Sequence, residues 1–365
     1  MRVGVISPMP RSLRDFINYR HYRDESWKEH KIINDEGIWT YCNNGWMWIP
    51  GRTPYLSAKY MSKIGISIFK NYSWENGMPD ILHAHNAVFA GFIAVKIAEE
   101  YKLPFVITEH SSAHITNRIK PWEDKLIRQT YRKARRIICV SSFLCQELER
   151  RYPEINNIIE CVPNILDTDF ERIDIDDINR NHSHGGVRII SIGNLVDGKN
   201  FEGLIRAFAD SFKGQNVYLR IGGDGPKRRS LEELTNVLGI RNQVEFLGYL
   251  NRNNVLREML ECDIFVLNSY YETFGVVIIE ALACGKPVIA TDCGGPRDII
   301  NNVNGILVPP GSNNKMAEAM RKMVSELKLY DPIEIKRDCV NRFGERRVVG
   351  MLNRIYEDIL SKNRD

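Results

Sequence analysis

The sequence predicts an α/β fold with parallel sheets in two domains. Three observations carry that reading. Short β-branched runs alternate with helical stretches along most of the chain, the pattern of parallel strands joined by crossover helices. The 365 residues exceed one compact core and divide into two domains of ordinary size. The stretch NILDTDFERIDIDDINRNHSHGG, residues 164–186, is polar, acidic and Gly-ended with no sustained period, as a linker or edge loop is.

The elements follow in order. Residues 2–7 form a strand. Residues 8–76 mix charged and aromatic residues with weak periodicity, and no fold is assigned to them. The apolar runs at 81–83, 104–108 and 137–141 read as buried strands, with helices over 88–101 and 122–134 between them. Past the linker, strands fall at 188–193, 217–222, 244–247, 264–267 and 287–290. Helices fit 201–212, 226–238, 253–261 and 276–284, with Pro226 at a first turn where its missing N–H costs nothing. A last amphipathic helix covers 346–360. There is no internal repeat and no low-complexity tract.

Composition excludes several classes. Apolar residues are 43% and charged residues 26% of the chain, as in an ordinary globular protein. No stretch approaches the roughly 18 apolar residues of a membrane span. The start, MRVGVISPMPRSLRDF, has too short an apolar run for a signal peptide and breaks at Pro8 and Pro10. A cytoplasmic protein is expected. None of the eight cysteines forms a C-x-x-C pair, so reduced, buried thiols are expected rather than a zinc ribbon or a disulfide scaffold. Residues 1–165 carry 23 Lys+Arg against 17 Asp+Glu, or +6; residues 166–365 carry 27 against 29, or −2. All six tryptophans lie in the first 122 residues. A basic, Trp-rich half suits an anionic or amphipathic partner.

The densest chemical signal is NSYYETFGVVIIEALACGKPVIATDCGGPRD, residues 268–298. A strand ends in a loop that feeds a helix near Gly275, and such a helix offers free N–H groups and a positive dipole end to phosphate. Glu280 sits among Ile279, Ala281 and Leu282, where a carboxylate needs a partner; vicinal ribose hydroxyls would serve. Glu272 precedes the helix. The plain alternative makes Glu272 a solvated loop acid and Glu280 a dipole-favoured acid of the first turns. A second loop, after the strand ending at Gly193, carries Lys199 just before a helix, where a cation is mildly unfavourable unless it meets a phosphate. Gly222, Gly223 and Gly225 do not make a dinucleotide fingerprint and read as a tight turn.

His83, His85, His110 and His114 follow two strands. Their spacing allows zinc, but no acidic or cysteine ligand set completes a site, and contacts to a ligand at strand carboxyl ends are the simpler reading. Residues 117–136 hold eight basic residues against two acidic ones. They read either as a solvated helix face or, with Trp122, as a patch for anionic lipid. No aromatic stacking or binding module points to nucleic acid.

Taken together and in order, E-x7-E from Glu272 to Glu280, GNL with Lys199, GGDGP, VEFLGYL, NGILVPPG, and upstream DILHAHN, TEHSS, CVSSFL and VPNILDTDF resemble glycosyltransferase family 4. The resemblance covers about residues 80–360. It implies the GT-B architecture, two Rossmann-like domains with parallel sheets facing a central cleft that excludes water. It divides the chain into an acceptor-side domain over 1–165, completed by the C-terminal helix 345–365, and a donor-binding domain over 166–344. It implies retaining transfer from a UDP- or GDP-sugar to a glycan or lipid-linked acceptor at the inner membrane face, in surface polysaccharide or glycolipid synthesis, with no obligatory metal or other cofactor. By motif position, Glu280 takes the ribose hydroxyls. Glu272 and the backbone of Thr273, Phe274, Gly275 and Val276 take the donor sugar. Lys199 neutralises the diphosphate beside Gly193 and Asn194, Tyr249 lies near the base, and His110 lies near the transferred sugar.

Three features depart from the family. Asn194 stands where arginine is common, removing one phosphate charge. The segment after the linker strand reads Pro163–Asn164–Ile165 rather than PNG. Residues 1–8 match the family's second strand, so its first strand–loop–helix unit is expected to be missing, with an open sheet edge. Alternatives are a nucleotide-sugar-binding protein with little or no activity, or another GT-B enzyme such as a nucleotide-sugar epimerase.

Overall fold

The computed structural model describes residues 2–8, 31–35, 37–43, 54–174, 176, 178 and 185–362. The chain forms two compact units: Met1–Cys139 with Glu147–Glu160 and Arg354–Asp365, and Val140–Gln146 with Cys161–Asn353.

The first unit holds two sheets. In one, β1 (Val5–Pro8) lies parallel to β3 (Ile38–Asn43), which forms an antiparallel hairpin with β2 (Lys31–Asp35). Gly37, at φ 89°, supplies the left-handed residue of that turn. The other sheet runs β4 (Leu82–His85), β5 (Phe105–Glu109), β6 (Arg136–Cys139), β7 (Ile159–Cys161) in spatial order. Among the described residues, β1 pairs only with β3 and β4 only with β5. Ile6 of β1 and Leu82 of β4 both pack against the cluster of Phe69, Ile93 and Ile97. One helical layer, Pro54–Asn76 with Phe92–Tyr101, therefore covers both sheets. The Tyr41 hydroxyl ties the hairpin to the end of the first of these helices, donating to Glu75 at 2.5 Å and accepting from Asn76 at 2.7 Å.

The hairpin and the helix Pro54–Asn76 are what periodicity missed. The remaining part of 8–76, including residues 9–14, lies outside the described residues.

The second unit is one six-stranded sheet in the order β10-β9-β8-β11-β12-β13. Its strands are β8 (Val187–Ile192), β9 (Val217–Gly222), β10 (Val244–Gly248), β11 (Ile264–Leu267), β12 (Val288–Thr291) and β13 (Gly305–Val308). Every pair in it is parallel. Central strands β11 and β12 are buried along their whole length, as strands covered by helices on both faces must be. The chain winds outward from β8 through β9 and β10, then restarts beside β8 at β11. This reversal opens a crevice at the carboxyl ends of β8 and β11, the place where open α/β sheets bind ligands.

Two expectations need correction. The helix expected from Pro226 begins at Arg228; Pro226 and Lys227 form a turn ahead of it, in which the Lys227 N–H donates to the Leu195 carbonyl at 3.1 Å. None of the eight cysteines is in a disulfide, but Cys161 is exposed and Cys145 half-buried. Cys161 ends β7, the outermost strand of its sheet, where only one flank is covered.

Candidate active site

The loop after β8 begins at Gly193 and Asn194 and lies against the loop after β9. Gly193 N–H donates to Gly222 O at 3.0 Å, and Leu195 N–H to Asp224 O at 3.0 Å. Gly223 has φ 124°, and a Cβ there would sit 2.0 Å from the Gly193 carbonyl oxygen. Only glycine allows backbones this close. Tyr249 follows β10 and is 81% exposed. Lys199 closes a short 3-10 turn, Asp197–Lys199. Asn200, at φ 48°, then caps the helix Phe201–Phe212 by accepting the Gly203 N–H at 3.2 Å.

The loop after β11 is stitched to this one. Asn268 Nδ2 donates to Asn200 O at 3.1 Å, and Tyr270 N–H to Gly198 O at 2.9 Å. Thr291 Oγ1 donates to Ser269 O at 2.6 Å. Glu272 is held through its backbone: its N–H donates to Cys293 O at 3.2 Å and its carbonyl accepts from Gly295 N–H at 2.9 Å. The stitching brings the Lys199 ammonium onto the Glu272 carboxylate, which also accepts from Ser269 Oγ at 2.8 Å. Phe274 is buried edge-on against Phe343, ring centres 5.7 Å apart, so Thr273–Val276 can offer a ligand backbone rather than the Phe274 ring. Gly275, at φ 102°, opens the helix Val276–Ala283 without a capping side chain, leaving first-turn N–H donors for an anion.

Glu280 is the fifth residue of that helix and 5% exposed, so it is neither solvated nor in the first turn. Arg252 pairs with it, bridges to Asp167 at 2.8 Å and stacks over the Phe170 ring at 4.6 Å. Burial pushes the Glu280 carboxyl up, and the Arg252 charge opposes the shift. The structure thus joins Lys199 to Glu272 and adds Ser269, Arg252 and Asp167, which sequence reasoning missed. One signal was available. Arg252 opens a helix behind the N-cap Asn251, the same unfavourable place for a cation that singled out Lys199.

The first unit carries its own polar cluster. His83 and His85 rings stack at 4.8 Å, and His85 and His110 at 5.2 Å. His85 Nδ1 and His110 Nε2 share a hydrogen bond at 3.0 Å. Both nitrogens of His83 are engaged, Nδ1 with Tyr356 OH at 2.6 Å and Nε2 with Thr108 Oγ1 at 2.7 Å. Loss of water around the rings, reinforced by His85 and His110, lowers His83 to about 3. The same desolvation lowers His85 and His110 below the ordinary value. Buried Glu109 accepts from Ala87 N–H at 2.8 Å and Tyr131 OH at 3.0 Å, with His114 Nε2 at 3.5 Å. These groups are spent on hydrogen bonds to one another and to their neighbours, and among the described residues no group of three or more His, Cys, Asp or Glu could hold a metal ion. On the basic stretch 117–136, Arg128, Lys133 and Arg136 are ion-paired. No helix of the described residues is long and apolar enough to cross a membrane.

Two family models match in tandem. Residues 43–170 match Glycosyltransferase Family 4, and residues 174–336 match Glycosyl transferases group 1. The lipopolysaccharide core biosynthesis glycosyltransferase LpsD of Rhizobium meliloti is 36% identical over 163 residues, 44% of this chain and 46% of that protein. This match spans less than half of that relative's length. The N-acetyl-alpha-D-glucosaminyl L-malate synthase of Bacillus anthracis is 27% identical over 298 residues, 78% of this chain and 76% of that one. Among solved structures, Anabaena HepE in complex with UDP superposes with TM-score 0.69 at 21% identity, covering 84% of each chain. That likeness establishes the GT-B fold.

Proposed function

We propose, because this chain belongs to the group 1, family 4 glycosyltransferases, that it moves a sugar from a nucleoside-diphosphate sugar to a glycan or lipid-linked acceptor with retention of configuration. The observation that carries the reading is the joining of Lys199, Glu272 and Ser269 at the β8/β11 crevice, beside the uncapped helix at Gly275. When the glycosidic bond breaks, negative charge grows on the distal phosphate. Lys199 and the first-turn N–H groups after Gly275 stabilise that charge without a metal. Glu280, held by Arg252, accepts the ribose hydroxyls. Glu272 and the backbone of Thr273–Val276 bind the donor sugar, and Tyr249 lies toward the base. In this reading Glu272 holds the sugar and is not a general base: Lys199 and Ser269 both bond its Oε1, and the acceptor attacks the face the leaving phosphate vacates, assisted by that phosphate. His110 contacts the transferred sugar.

HepE was solved with UDP, and LpsD is named for lipopolysaccharide core synthesis; both support a nucleotide-sugar donor and a surface-glycan acceptor. Phe89, 43% exposed beside Trp122 at 6.4 Å, supports peripheral contact of 117–136 with an anionic membrane, on the cytoplasmic side where such donors are made.

The test is a thermal-shift titration with UDP, GDP, ADP and their common sugars, with and without EDTA, on the wild type and Glu280→Ala. A ligand that binds only the folded state raises the melting temperature. One diphosphate should raise Tm selectively, EDTA should leave the rise unchanged, and Glu280→Ala should weaken it. No rise with any nucleotide overturns the proposal. A rise that EDTA removes overturns metal independence, and an unchanged rise in the variant removes Glu280 from the site.

A further inference from the structure

We propose that His85 is a positioning residue for His110, fixing which of its ring nitrogens carries the proton. The proposal rests on the reading that His110 faces the sugar. His85 ends β4 and His110 follows β5, and the two strands pair in parallel with His85 opposite Thr108. The end of β4 and the turn after it grip His110 once each. Asn86 Oδ1 accepts the His110 backbone N–H at 3.1 Å, and His85 Nδ1 meets His110 Nε2 at 3.0 Å. Asn86 has φ 68°, outside the usual range for a non-glycine residue. Its own N–H donates to Thr108 O at 2.8 Å, and its carbonyl accepts from Gly91 at 3.0 Å. A residue held by this many bonds in an unfavourable conformation is a fixed mount.

The ring geometry then sets the proton. A hydrogen bond between two neutral imidazoles holds one proton, on His85 Nδ1 or on His110 Nε2. In the first case His110 presents Nδ1–H as a donor; in the second it presents Nδ1 as a bare acceptor. The groups around the pair leave no third arrangement. His83, stacked behind His85, is neutral, with both nitrogens engaged by Tyr356 and Thr108. The charged neighbour Glu109 turns one carboxylate oxygen to Ala87 and Tyr131 and the other toward His114. The His85 contact therefore couples the tautomer of His110 to that of His85, and the unlike surroundings of the two rings, His85 stacked on His83 and His110 held by Asn86, make the two states unequal in energy, so a sugar meets one defined donor or acceptor instead of a mixture.

The experiment needs no substrate. Long-range 1H–15N NMR of the full, ligand-free chain reports the tautomer of His110 from the separation of its two nitrogen shifts; His110→Gln assigns the signals. The wild type should show a single tautomer. His85→Phe keeps a ring on His83 without the hydrogen bond, and should lose the separation. His85→Asn returns an amide to the Nδ1 position, and should restore it. Should the phenylalanine variant not fold, His85→Gln, whose amide lies at the Nε2 position, replaces it with the same expected loss. A mixed tautomer in the wild type, or an unchanged separation in the variant lacking the bond, overturns the proposal. Failure of the glycosyltransferase reading would appear in the nucleotide titration and leave these shifts untouched, so the two are told apart.

Discussion

His83 makes the first unit sensitive to acid. Its folded value is about 3, against about 6.5 for a free imidazole. Between those values the unfolded chain binds the extra proton, so the contribution to stability is fully present above pH 6.5 and is lost as pH falls toward 3, at up to about 1.4 kcal/mol per unit. Denaturant unfolding at pH 7 and pH 4 should show the wild type losing more stability than His83→Gln over that interval. Equal losses would remove His83 as the cause. The site residues divided at this scale by what surrounds them in sequence. Glu280 was legible because a carboxylate inside VVIIEALA must be paired. Its partners Arg252 and Asp167 were not, since each lies in polar sequence, 28 residues before Glu280 and 85 before Arg252, and nothing local couples them.

At the scale of elements, the glycine contacts decide whether the two phosphate-side loops can meet. Gly223→Ala adds a Cβ on top of the Gly193 carbonyl at a φ that L side chains rarely adopt. The strain alone costs about 1–3 kcal/mol, and relieving the clash moves the loop that carries Asn194. Gly77→Ala, also at positive φ but with nothing within 4 Å, isolates the strain. In thermal melts Gly223→Ala should lose more stability than Gly77→Ala, and only Gly223→Ala should weaken the response to nucleotide; equal effects would show that the close approach is dispensable. The sheet of the second unit was legible because its central strands are buried on both faces and read as unbroken apolar runs. The hairpin of β2 and β3 was not. Ile32, Ile33, Ile38 and Trp39 are all substantially exposed, so adjacent residues do not sort into an inside and an outside. Alternation fails wherever both faces of a strand see water.

At the scale of the molecule, and among the described residues, the second unit is one continuous sheet and the first is interrupted. The interruption lies between β1 and β4, two strands that share a helical layer yet pair away from each other. In β4, the amides of Leu82 and Asn86 donate to Pro104 and Thr108 across the pair with β5. By the two-residue alternation of a strand, the amides of His83 and His85 point the other way, toward the interruption. The backbone beneath the histidine column is therefore protected on a two-residue beat. In deuterium oxide, the amides of Leu82 and Asn86 should persist while those of His83 and His85 exchange early. Slow exchange at all four would place a further strand along β4. Alternation would mean that the histidines ride on a sheet border, where the breathing of one hydrogen-bond row reaches the ring of His110 directly.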